Sequence, residues 1–191
     1  MDEVRDARKE SDQDTSNYVT GFPSVVGSHP RILILGSMPG RASLQQQEYY
    51  ALPRNAFWPI MGDLFGAGFD LPYAERLDTL TDNGIALWDV LESCHRPGSL
   101  DSAIADTSAE PNDFADLFRA APSITHVFFN GRKAADVYRR RVLPTLENVA
   151  ALRICQTLPS TSPAHATRSY AQKLAEWSVV REVLEQPVRA E

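Results

Sequence analysis

A chain of 191 residues, 43% hydrophobic and 23% charged, is long enough to bury a full core and short enough to form one domain. Its formal charge of −6 argues against a uniformly basic nucleic-acid-binding surface. Two distant cysteines, Cys94 and Cys155, and four scattered histidines form no C-x-x-C or H-x-x-x-H pair, so neither a zinc site nor an iron–sulfur cluster is suggested.

Residues 1–15 hold six acids (Asp2, Glu3, Asp6, Glu10, Asp12, Asp14) against three bases (Arg5, Arg8, Lys9). Residues 1–16 therefore read as a disordered charged tail and 17–191 as a single folded domain. The tail has no apolar h-region, and no run approaches the roughly 18 apolar residues of a membrane span, so the expected compartment is the cytoplasm. Without the tail the body is close to neutral. Arg132, Lys133, Arg139, Arg140 and Arg141 cluster in one segment, either as a local basic face or as a solvated helix surface.

RILILG (31–36) is apolar and closed by Ser-Met-Pro-Gly, the composition of a buried parallel strand running into a loop. A helix is expected from Ala56 to Phe65. IALWDV (85–90), THVFFNG (125–131) and LRICQTLPS (152–160) repeat the strand form, each short and ending in turn or capping residues. PNDFADLFRAAP (111–122) and KAADVYRRRVLPTL (133–146) change to a period of about 3.6 and read as helices. The segment 166–186 sets Tyr170, Leu174, Trp177, Val180 and Leu184 on one face of a terminal amphipathic helix. This alternation predicts an α/β fold, a three-layer α/β/α sandwich around a central, mostly parallel four-stranded sheet. Ligands bind outside the carboxyl ends of the strands in such sheets.

Those ends carry GSMPG (36–40), WDVLESC (88–94), FFNG (128–131) and LPSTSPAHA (158–166), with YYALPRNAFW (49–58) a little beyond the first. They supply Ser37, Met38, Asn55, Asn130, Ser160, Thr161, Ser162 and His165, while the carboxylates are confined to Asp89 and Glu92. There is no G-x-S-x-G elbow, no G-K-[ST] phosphate loop and no G-x-G-x-x-G. Asp89 reads as a residue that holds a loop by hydrogen bonding.

In this order the motifs resemble the uracil-DNA glycosylase superfamily, and within it the hypoxanthine-DNA (deoxyinosine) glycosylase family, family 6. The similarity runs from about Gly21 to the final helix. The resemblance implies a uracil-DNA glycosylase-like fold and a monofunctional DNA glycosylase that hydrolyses the N-glycosidic bond of flipped-out hypoxanthine, uracil or xanthine and leaves an abasic site. No lysine is placed for Schiff-base chemistry. The third residue of GSMPG is a catalytic Asp or Asn in several branches; here it is Met38, which can neither orient nor deprotonate water. The catalytic amide then matches Asn55 in Pro53-Arg54-Asn55. Gly36, Ser37, Met38, Pro39, Phe57 and Asn130 match the base pocket, Phe57 as the stacking aromatic and Asn130 as the reader of the base edge. Arg54, Ser160, Thr161, Ser162, Pro163 and His165 match the DNA-gripping segments. Where relatives commonly read YYAHPRN, this chain has Leu52. Implied partners are double- or single-stranded DNA carrying deaminated bases; the protein is expected to be a monomer without cofactor or metal, at the nucleoid when acting.

The residues alone leave plainer roles open. Asn55 could cap the helix that follows it, and Asn130-Gly131 is a turn dipeptide. Phe57 could be core, and Ser160 to Ser162 before Pro163 would cap a helix. The rival reading is a damaged-DNA or single-strand binder of the same fold with weak or no turnover, and a third is a hydrolase or transferase acting on free nucleosides.

Overall fold

The structure, a computed structural model, describes residues 17–98, 100–146 and 153–187; the expected tail and Leu152 lie outside them. In chain order the elements are β1 (Tyr18–Thr20), β2 (Ile32–Gly36), α1 (Arg41–Gln46), α2 (Phe57–Phe65), α3 (Tyr73–Asp82), β3 (Ile85–Asp89), β4 (Leu91–His95) and β5 (Glu110–Pro111). There follow α4 (Phe114–Ala120), β6 (His126–Asn130), α5 (Arg132–Val137), β7 (Ile154–Leu158), α6 (Tyr170–Trp177) and α7 (Val179–Glu185).

Four strands pair in the order β3-β2-β6-β7, every pair parallel. Side chains of successive strand residues point to opposite faces. In β2, Leu33 and Leu35 accordingly join one core with Phe114 and Phe118 of α4 and Ala134 and Val137 of α5. Ile32 and Ile34 join the other with Phe57 and Trp58 of α2 and Trp177 and Val180 of the last two helices. Both faces being covered explains why RILILG is apolar without alternation. The three-layer sandwich expected from the sequence is present, and all four of its strands are within two residues of their expected bounds.

The structure corrects the expectation in four places. β7 was expected to be buried, but Ile154 to Thr157 are exposed and Ile154 is 60% accessible. It is one of two edge strands, and β3 at the other edge is buried with Val25 bridged to its Leu87. A second, antiparallel sheet, β1-β4-β5, stands beside the first; its strands of two to five residues carry no apolar run to announce them. Segment 133–146 is helical only to Val137, then widens into a π turn (Tyr138–Val142) and tightens to a 3₁₀ turn (Leu143–Thr145) at Pro144, which has no N–H to donate.

The terminal helix is two helices divided at Ser178, whose Oγ donates 2.8 Å back to the Ala175 carbonyl, a competition that bends helices. Of the expected face Trp177 and Val180 are buried and Leu174 and Leu184 pack against the same core, with Lys173 and Val183 buried beside them. Tyr170 is 42% exposed and its hydroxyl donates to Asp63. Both cysteines are free thiols. No helix among the described residues is long and apolar enough to cross a membrane.

Candidate active site

At the end of β2, Gly36 must be glycine, because a Cβ there would stand 2.3 Å from Asp89 Oδ1 and 3.2 Å from the Tyr50 hydroxyl. The loop that follows is tied down from the second sheet. Ser37 Oγ donates to Asp101 Oδ1 at 2.6 Å. The guanidinium of Arg96, 2% exposed, donates to the Met38 carbonyl at 3.4 Å and the Pro39 carbonyl at 2.5 Å. The Met38 side chain packs into the core beside Leu35, Val90 and Cys94. With both carbonyls accepting from Arg96 and no N–H on proline, the main-chain donor these two residues can offer a ligand is the Met38 N–H.

Leu52 to Asn55 form a turn with Pro53 and Arg54 at its centre, closed by Asn55 N–H donating to the Leu52 carbonyl at 2.8 Å, the favoured place for proline. Leu52 and Arg54 are exposed. Asn55 Oδ1 accepts the Phe57 N–H at 3.0 Å, so its amide is fixed against the first turn of α2. Phe57 is fully buried, and the Tyr50 ring lies stacked on it at 3.9 Å with 21° between the planes. Tyr50 holds φ at +55°, a region aromatic residues rarely occupy. Its hydroxyl is buried beside the Asn130 side chain, without the geometry of a full hydrogen bond.

The third and fourth strand ends are clamped together. Asn130 Nδ2 donates to Thr161 Oγ1, and Thr161 N–H donates to Asn130 Oδ1, both at 2.8 Å. Gly131, at φ +97°, lets this happen, since a Cβ there would stand 3.0 Å from Ser160 Cβ. The loop after β7 is held further by Ala56 N–H to the Thr161 carbonyl (3.0 Å), Trp177 Nε1 to the Pro159 carbonyl (3.0 Å) and Lys173 Nζ to the Ser162 carbonyl (3.3 Å). Burial lowers the Lys173 ammonium pKa.

Ser160 and Ser162 do not cap a helix at Pro163, the plainer role their sequence left open. Their hydroxyls accept the Ser162 and Ala164 N–H groups at 3.2 Å, local bonds that satisfy turns instead. The next helix waits for Ser169, whose capping box with Gln172 starts α6. His165 is half-buried in those turns beside Thr167.

The structure thus brings Gly36 to Pro39, Asn55, Phe57, Asn130 and Ser160 to Ser162 into one neighbourhood, joined by the Ala56–Thr161 and Asn130–Thr161 bonds. Arg54 and His165 lie at its margin. Sequence reasoning missed Tyr50, Arg96 and Asp101, whose only signal was polar or charged residues beside strand ends. It also misassigned Asp89. The carboxyl makes no hydrogen bond among the described residues and Oδ2 is buried; only the main-chain carbonyl of Asp89 holds a loop, accepting from Asn112 Nδ2 at 2.9 Å. Burial pushes the Asp89 carboxyl up to about 8, with the nearby Asp101 adding to the shift and Arg96 opposing it.

The basic cluster is partly paired, and Arg132 is exposed. Lys133 and Arg140 pair with Asp106 at 3.0 and 3.2 Å, Arg139 with Asp136 at 3.7 Å, and Arg141 donates to the Asp106 carbonyl. A cleft of about 720 Å³ opens elsewhere, lined by Trp88, Glu92, Asn112, Asp113 and Asp116 among others, an acidic rim unsuited to a phosphate backbone.

Residues 23–184 match the model of the Uracil DNA glycosylase superfamily. A hypoxanthine DNA glycosylase of Methanosarcina acetivorans is 41% identical over 134 residues, 65% of this chain and 84% of that protein. One from Methanosarcina barkeri is 40% identical over 117 residues, 61% of this chain and 73% of that protein. Among solved structures, the solution NMR structure of a candidate uracil DNA glycosylase from Methanosarcina acetivorans superposes with a TM-score of 0.73 at 37% identity, covering 88% of this chain and 99% of that one.

Proposed function

This chain belongs to the uracil-DNA glycosylase superfamily, and from that premise we propose that it is a monofunctional DNA glycosylase acting as a monomer. It removes deaminated bases from DNA, hypoxanthine first, and leaves an abasic site. Two of the relatives named above are hypoxanthine DNA glycosylases. The observation that carries the reading is the convergence of the Asn55 amide, the Gly36–Pro39 main chain and the Asn130–Thr161 clamp at adjacent strand ends.

N-glycosidic hydrolysis builds positive charge on the sugar and negative charge on the departing base. Asn55 is no base, but its carbonyl oxygen has two lone pairs. One accepts the Phe57 N–H, which fixes the amide; the other is left to hold a water in line with C1′. Main-chain N–H groups of the tied loop after β2 then face the charge developing on the base, where each preorganised donor contributes roughly 3 to 4 kcal/mol. Extruding the nucleotide costs a few kcal/mol, least at a mispaired base. The loop after β7 meets the phosphates beside the lesion, contacts that position without choosing sequence.

The test is a panel of duplex oligonucleotides carrying inosine, uracil or xanthine, read as alkali-labile abasic sites. Release from the inosine duplex is expected to be fastest. Band shifts with no release from any member would leave the non-catalytic binder instead.

A further inference from the structure

We propose that Asp89 is a catalytic residue of this site, the acid that gives a proton to the departing base, and that the base takes the place held by the Tyr50 ring against Phe57. The inference rests on the glycosylase reading above. It starts from a group the fold does not use. Asp89 is 3% exposed and its carboxyl has no hydrogen-bond partner among the described residues. Its sheet register with Gly36 and its bond from Asn112 involve main chain only, so neither requires an acid. An uncompensated buried carboxyl is a cost that a functional site retains and a core does not.

Three strand ends meet around the Tyr50 hydroxyl: Gly36 of β2, Asp89 of β3 and Asn130 of β6. The Tyr50 ring is planar, stacks on Phe57 at the spacing of an aromatic pair, and is held with φ at +55°. No side chain stands between its hydroxyl and Asp89 on the Gly36 side, because Gly36 has none. A flipped base occupying that slot puts its polar edge where the Tyr50 hydroxyl now sits, against the Asp89 carboxyl.

The charged and titratable groups around Asp89 are Asp101 and Arg96 from the segment after β4 and Tyr49 and Tyr50 from the segment after α1. Arg96 aims its guanidinium at the Met38 and Pro39 carbonyls and forms no ion pair with Asp89. Burial, with Asp101 beside it, pushes the Asp89 carboxyl up to about 8, so at neutral pH it is a proton donor. The C1′–N bond breaks with its electron pair going to the base. The base takes the Asp89 proton at a ring nitrogen or carbonyl oxygen, and water adds to C1′. The proton that water sheds restores the Asp89 carboxyl.

The experiment is single-turnover base release from an inosine duplex between pH 6 and 10 by the full chain and by Asp89→Asn, with circular dichroism to confirm that the variant is folded. Asparagine keeps the size and a hydrogen-bond donor but has no proton to transfer. The expected result is a loss of about 100-fold at pH 7, with the wild-type advantage shrinking toward unity by pH 10 as the acid ionises. A purely structural role would not produce that pH-dependent ratio, and an alkaline limb belonging to the substrate's own N1–H would appear in both proteins. A ratio that is constant with pH, a variant within about threefold of wild type at pH 7, or a folded variant that is inactive at every pH overturns the proposal. If the wild type itself releases no base at any pH, the glycosylase reading is what has failed.

Discussion

Asn55 carries two loads at once, and they can be separated. Its Oδ1 accepts the Phe57 N–H, as a capping residue would, while the proposed chemistry needs the same amide to hold water. Asn55→Ala is expected to lose at least about 100-fold in base release and about 1 kcal/mol of stability. Asn55→Ser keeps a capping oxygen, so thermal denaturation should return to near wild type while the release assay stays low. A serine variant with near wild-type rates would leave Asn55 a capping residue only. Asp89 makes a prediction about stability as well as rate. Its folded pKa of about 8 lies above the ordinary 3.8, so the folded protein keeps a proton that the unfolded chain releases, and stability falls as pH rises between about 4 and 8. Melting curves at pH 5 and pH 8 should show Asp89→Asn gaining on wild type as pH rises; a gap that stays constant would place the carboxyl at its ordinary pKa.

Among the elements, the loop after β7 is fixed from both sides, by Asn130 through Thr161 and by α6 through Lys173 and Trp177. The position of α6 is set in turn by its Ser169–Gln172 capping box. Ser169→Ala should cost about 1 kcal/mol, a fall of roughly 2 to 4 °C in melting temperature. Base release measured well below that temperature should be unchanged, because the loop's own bonds remain; a large rate loss would mean that the cap positions the loop directly. β2, β3 and β6 were legible because each is an apolar run buried on both faces, and β7 was found by its short run closed by turn residues although only Leu158 of it is buried. β1, β4 and β5 were not, because β1 and β5 have only three and two residues and show no periodicity, while β4, LESCH, is five residues with no apolar run. The break at Ser178 was likewise hidden, since one serine inside a helical pattern is common and only its bond to Ala175 shows the bend.

For the molecule as a whole, the question is how a chain of charge −6 meets DNA. The basic cluster that suggested a DNA-binding face is only partly paired, since Asp106 and Asp136 stand against five bases. Among the described residues near the site, the exposed Arg54 and Arg132 remain for phosphates. Binding to a duplex carrying an abasic-site analogue should therefore weaken only shallowly with salt, in proportion to a small number of neutralised phosphates. Arg54→Ala should reduce the slope of log K against log salt by about one, and Arg140→Ala should leave it unchanged. Titrations at several salt concentrations decide this, and a slope unaffected by Arg54→Ala would remove that residue from the DNA contact.

The sequence by itself determined the α/β class, the parallel strands and the order of the motifs at their ends, because burial on both faces of a sheet leaves an apolar run and because turn residues mark where each run stops. Only the tertiary structure decided which of those residues share a site and which are consumed in holding it. Asn130 and Thr161 are 31 residues apart and become one clamp, Arg96 reaches across from another sheet to hold the loop after β2, and Met38 turns into the core. Asp89 reads in sequence like any turn acid. Its lack of a partner is a property of the volume around it, created when Gly36, Tyr50 and Asp101 fold against it and exclude water, and no local pattern in the chain carries that information.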